Sequence, residues 1–208
     1  MLIDQELLDC HRRAVEESIA VVSRVTPSDL ARSTPCALWN LADLLGHMTV
    51  QHTGFAAAAR GKVTRLSDWA PQPAGDDVVD AYRAAAEDVV LGFAACDADA
   101  ELWLPEIRGG TAVPARVALG FHLVDYVVHA WDVAASLGIP GAPALDDAVL
   151  ADALAVARLV PDGESRTAPG AAFAPALPTR GPAGPASDPL DEILRLLGRD
   201  PAWAPGHD

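Results

Sequence analysis

The chain has 208 residues, half of them hydrophobic and few of them aromatic, with a net charge of −14. That length fits one domain with ample apolar material for a core, and the negative charge argues against a general affinity for nucleic acid phosphates or anionic lipid. The opening MLIDQELLDC lacks the basic start of a signal peptide and no apolar run reaches membrane-spanning length; the three cysteines, Cys10, Cys36 and Cys96, show no paired spacing, so reduced thiols in a cytoplasmic protein are expected.

Leu8, Val15, Ile19 and Val22 mark a first amphipathic helix over about residues 3 to 25, with Asp4, Glu6 and Asp9 near the positive end of its dipole. His11 lies near its apolar face and reads as a core or boundary histidine. Residues 26 to 38 carry two Thr-Pro steps and read as a connection. Asn40 can cap a second helix, with Asp43 three residues on as an imperfect capping box. Its apolar side is Leu41, Leu44, Leu45, Met48 and Phe55. His47 lies at the margin of that side and His52 points further into it. Periodicity does not choose between the two as a ligand.

Residues 61 to 75 form another connection. A third helix is expected from about Asp77 to Cys96, with Asp76 and Asp77 at its acidic start and Tyr82, Val89 and Phe93 on its inner face. ELWLPEIRGGTAV alternates around a Gly-Gly turn, as a short hairpin or a loop would. A helix around Asp146 to Leu159 follows the central one described below. From Pro161 to Pro189 the composition shifts to Pro, Gly and Ala, in isolation a linker. PLDEILRLLG then recovers a short helix, with Leu190, Ile193, Leu194 and Leu197 on one side.

The central stretch, Pro114 to Gly138, reads as one helix. Val117, Phe121, Val124, Val128, Trp131 and Ala135 recur at steps of four and three. Pro114 suits the first turn and Gly138 the left-handed residue that ends a helix. His122, Asp125, His129 and Asp132 break the apolar pattern and fall within an arc of roughly 80° at about 100° per residue. Such groups beside a core face need partners. A hydrogen-bonded polar network satisfies them, and so does a metal site with ligands from facing helices.

Three segments match one family. STPCALWNLADLLGHM resembles the TPC-x-x-W-x-v-x-x-L-x-x-H segment of the DinB-like and mycothiol-dependent maleylpyruvate isomerase superfamily. DYVVHAWDVAASLG resembles its D/E-x-x-x-H-x-W-D-L-A-x-A-x-G segment, and LLGRDPAW resembles the L-L-G-R-x-P close of a branch described as uncharacterised metal-binding proteins. The resemblance implies an all-α fold, an up-and-down four-helix bundle with one divalent metal, usually zinc. Residues 1–160 would form that bundle, and residues 161–208 an extension docked on it as part of the same domain. The implied ligands are His47, Asp125 and His129, which decides His47 over His52. His122 reads as an acid/base group, a fourth ligand or a pocket wall, and Asp132 as a group orienting an imidazole.

Two histidines and one carboxylate leave open positions on a divalent cation, the pattern of catalytic rather than structural zinc; nickel and iron(II) suit the same set. The resemblance implies a low-molecular-weight thiol, such as mycothiol or bacillithiol, held as thiolate for S-transfer or isomerisation of a small-molecule substrate. A metal-containing binding protein without turnover and a metal-assisted hydrolase are the rival readings. The isomerase proper carries a further domain at its active site, where this chain has only the Pro/Gly/Ala stretch and a short helix. Maleylpyruvate is therefore not the expected substrate. The resemblance also admits a homodimer.

Overall fold

The computed structural model describes residues 3–36, 39–73, 75, 77–107, 109–168, 171–178 and 188–206. Asp76, expected at the start of the third helix, and much of the Pro/Gly/Ala-rich stretch lie outside these described residues.

Four long helices carry most of the chain: α1 (Gln5–Val22), α2 (Leu41–Ala59), α3 (Val78–Ala94) and α4 (Ala115–Leu137). Two shorter helices follow, α5 (Asp147–Ala157) and α6 (Pro189–Leu196). The start signals act as expected at α2, where Asn40 and Asp43 cap each other's backbone at 2.9 and 3.2 Å. Asp146 caps α5 by accepting from the Ala148 and Val149 amides. Gly138 ends α4 with φ of 67°, a conformation that costs other residues a Cβ clash. Pro114 stands at the N-cap of α4, one place before the first turn assigned to it from sequence.

The fold is mostly helical, with one addition to the all-α expectation. Between α3 and α4, β1 (Glu101–Leu104) and β2 (Thr111–Pro114) pair antiparallel, with Glu101 opposite Pro114 and Leu104 opposite Thr111. Alternation made the hairpin legible, and it buries Leu102 and Leu104 against Phe55, Trp69 and Phe93.

α1 lies against α3 and α4, and α2 lies against the same two helices. The central helix is buried almost all round, which its apolar composition requires. α5 packs on α4, and α6 packs on α5. Ile193, Leu194 and Leu197 are fully buried among Cys10, Val124, Val128 and Trp131, so the C-terminal helix seals an apolar face shared by α1, α4 and α5. Part of the expected linker is also pinned. Buried Arg166 donates to the carbonyls of Pro161, Val160, Ala174 and Leu196, and the Leu177 amide bonds the Arg195 carbonyl at 2.9 Å. Among the described residues no helix is long and apolar enough to cross a membrane.

Candidate metal centre

His47 sits in the second turn of α2, and Asp125 and His129 sit one turn apart in the middle of α4. α2 and α4 pack together, so the three side chains converge. One donor atom from each lies within 4.8 Å of the others. His129 Nε2 stands 3.4 Å from Asp125 Oδ1. The His47 ring meets the His129 ring edge-on at 5.3 Å, and the Trp39 ring is tilted against it at 4.8 Å. His129 is buried, whereas His47 and Asp125 are half-buried.

The electrostatics of this group favour a cation. Burial opposes a charge on His129, but the Asp125 charge and the Asp132 hydrogen bond outweigh it and raise the imidazole well above its ordinary value. Burial, and then the positive His129, push His47 down to about 4. One imidazole is thus a neutral donor, and the other attracts positive charge between two carboxylates. A divalent ion meets the same demand, and two imidazoles and a carboxylate are a donor set that zinc accepts.

His129 Nδ1 lies 2.9 Å from Asp132 Oδ2. Asp132 has no solvent exposure. Burial opposes its charge, but Arg199 and His129 outweigh that and hold its carboxyl below the usual range. An ionised Asp132 accepts the Nδ1 proton and so directs Nε2 toward Asp125 and His47, where a bound cation would take the place of the second ring proton. Arg199 Nε donates to Asp132 Oδ1 at 3.0 Å, and Nη2 donates to Oδ2 at 3.2 Å. Cys36 Sγ donates to Asp132 Oδ2 at 3.1 Å and accepts from Arg199 Nη2 at 3.1 Å. The turn before α2 sets the place of Cys36: its amide donates to Thr34 Oγ1 at 3.1 Å, and that hydroxyl donates to the Trp39 carbonyl at 2.9 Å. Cys36, His129 and Asp132 form a second convergent group, with donor atoms also within 4.8 Å of one another.

His122 stands apart from both groups. It forms the middle of a buried chain of imidazoles, 2.8 Å from His11 Nε2 through Nδ1 and 3.1 Å from His52 Nδ1 through Nε2. Both of its nitrogens are therefore engaged. His52 and His122 stack on the Tyr126 ring at 3.8 and 4.2 Å, and the Tyr126 hydroxyl donates to the Met48 carbonyl. Burial pushes His11 down to about 3 and His52 and His122 well below the ordinary imidazole value, so the chain is neutral.

Sequence reasoning missed Glu106, in the turn of the hairpin. Gln51, one turn after His47, donates to Glu106 Oε2 at 2.7 Å. Burial, and then the Asp125 charge, raise the Glu106 carboxyl, while the Gln51 bond opposes the rise. No spacing signal marks a glutamate in a loop as part of a site on two distant helices. Arg199 was visible within the LLGRDP match, but its partners were not.

A mostly helical protein with an inward-facing His/Asp/His group on two facing helices defines a class of candidate metal-binding helical proteins. The comparisons are more particular. The family model described as the mycothiol maleylpyruvate isomerase N-terminal domain matches residues 11–134, and the chain belongs to that family. The DinB-like resemblance is consistent with this match. The chain is 30% identical over 200 residues to the uncharacterized proteins Rv0738 and MT0763 of two Mycobacterium tuberculosis strains, covering 92% of this chain and 97% of each relative. No solved structure matches it.

Proposed function

We propose that the protein is a metal-dependent enzyme, zinc being the best fit, that uses a low-molecular-weight thiol such as mycothiol for S-transfer or isomerisation. The observation that carries this reading is the convergence of His47, Asp125 and His129, with His129 steered from behind by Asp132. The family's description, which names mycothiol, supports the thiol. The frame of the site in this reading is a four-helix bundle of α1 to α4, with α5 and the segment after residue 160 added to the same domain.

His47, Asp125 and His129 would hold the metal through two imidazoles and a carboxylate. A bound zinc supplies Lewis acidity, which stabilises a thiolate near neutral pH. Asp132 keeps the His129 tautomer fixed by accepting the Nδ1 proton. Glu106, exposed in the hairpin turn and held by Gln51, would be the group that takes or returns a proton at its Oε atoms. His122 keeps its two nitrogens within the core chain and supports the α1–α2–α4 packing. The three cysteines are free and buried, which suits a reducing cytoplasm.

The test is calorimetric titration of zinc-loaded protein with mycothiol near neutral pH, in buffers of different ionisation enthalpy. Binding as thiolate releases about one proton per thiol, and the Asp125→Ala protein shows no such release. Binding without proton release, or no binding of mycothiol or related thiols, would refute the thiolate role and favour the non-catalytic or hydrolytic readings.

A further inference from the structure

The LLGRDP close has a geometry that ties it to the site. α6 ends at Leu196, and Gly198 reverses the chain with φ of 77°. A Cβ at Gly198 would stand 2.6 Å from the Ala174 carbonyl oxygen, so this turn has no room for a side chain. The turn sends Arg199 inward, where it is 6% exposed, and its amide bonds the Leu194 carbonyl at 2.7 Å. The guanidinium then spans two segments that are remote in sequence, Asp132 on α4 and Cys36 before α2.

Cys36, His129 and Asp132 alone would make a three-donor pocket sharing His129 with the first group. The Arg199 guanidinium lies on two of these three donors. It cannot be deprotonated in proteins and its fork matches a carboxylate. Without it Asp132 would be a buried charge with only neutral donors and His129 around it, a costly arrangement. Such a carboxylate would turn toward other donors, and the fixed acceptor behind His129 Nδ1 would be lost.

We propose that Arg199 is a positioning residue for the metal centre: as the resident cation of the Cys36/Asp132 pocket it fixes Asp132 behind His129 and so couples docking of the C-terminal helix to metal binding. The inference rests on the His47/Asp125/His129 reading. It gives the LLGRDP segment a role that packing of Leu197 does not. Coupling of this kind is reciprocal, so metal binding tightens the helix by the same factor by which the docked helix tightens the metal.

The experiment measures zinc affinity of the full chain by competition with a chromophoric chelator, in wild type, Arg199→Lys and Arg199→Met. It also measures hydrogen exchange of residues 189–199 in wild type with and without zinc. Arg199→Met should weaken zinc binding by roughly 10- to 100-fold, the usual effect of losing a group that orients a ligand. Arg199→Lys, which keeps the charge, should recover much of the loss. A packing role alone predicts equal effects, because methionine and lysine both keep an unbranched stem. Zinc should slow exchange across 189–199. Zinc affinity unchanged in folded Arg199→Met, equal loss in both variants, or exchange insensitive to zinc would overturn the inference. If Arg199→Met does not fold, the wild-type exchange result decides alone. A wild type that binds no zinc would overturn the metal reading and this inference with it, whereas zinc binding indifferent to Arg199 would overturn only the inference.

Discussion

Acid should unfold this protein through its core imidazoles. His11, His52 and His122 are buried with neutral rings hydrogen-bonded to one another, and burial lowers all three. In the unfolded chain each takes up a proton near pH 6.5. The unfolded state therefore binds more protons below that pH, and stability falls as pH falls through the window from 6.5 toward the folded value, about 3 for His11. Between pH 6.5 and 5.5 each group loses about 1 kcal/mol, or about 3 kcal/mol for the three. By the same arithmetic half-buried His47, lowered to about 4, adds a similar share in the metal-free protein. His129 has the opposite sign: its raised value contributes stability that is fully present below 6.5 and lost as pH rises through the folded value, so it is constant across this window. A fall of about 3 kcal/mol is a large part of the 5–15 kcal/mol typical of a domain. The assay is urea unfolding with chelator present at pH 6.5 and 5.5, followed by tryptophan fluorescence. His11→Asn should reduce the pH dependence by about one proton. A stability change below about 1 kcal/mol across the window would refute the neutral buried chain.

Three further outcomes follow from particular contacts. Gly54→Ala would put a Cβ 2.5 Å from the Trp69 ring; the overpacking should cost about 1–3 kcal/mol in urea unfolding and change the Trp69 emission, and a neutral substitution would contradict this packing. His122→Asn should retain metal at the wild-type level, because both His122 nitrogens face His11 and His52; metal loss from the folded variant would make His122 a ligand. Asp132→Asn should weaken metal binding by roughly 10- to 100-fold without abolishing it, and unchanged affinity in a chelator competition would remove Asp132 from the support of His129.

Much of the frame was legible because its signals are local. The Asn40–Asp43 cap, the Gly138 stop and the alternation of the hairpin strands each act within a few residues. Asp125 and His129 were readable as neighbours from their four-residue spacing, but His47 needed the family pattern, since His52 fits the helix face equally well. The structure places His52 on Tyr126, in the imidazole chain with His11 and His122. That chain was not legible: its members lie on three helices, and periodicity says only that each faces inward. The Cys36–Asp132–Arg199 cluster was hidden for the same reason. Arg199 is 67 residues from Asp132 and 163 from Cys36, and a composition change toward Pro, Gly and Ala lies between. The partners of the Cys36 thiol, Asp132 and Arg199, are remote in sequence, so nothing near Cys36 marks it as part of a cluster.

The metal centre is tested most directly by metal content, measured by mass spectrometry on the purified 208-residue chain with His47→Ala and Asp125→Ala prepared in parallel. About one zinc per wild-type chain is expected, the single ion that an open His/Asp/His set takes, with loss of that zinc in both folded variants. A wild type without metal after reconstitution, or full metal retained in both variants, would contradict the proposed centre.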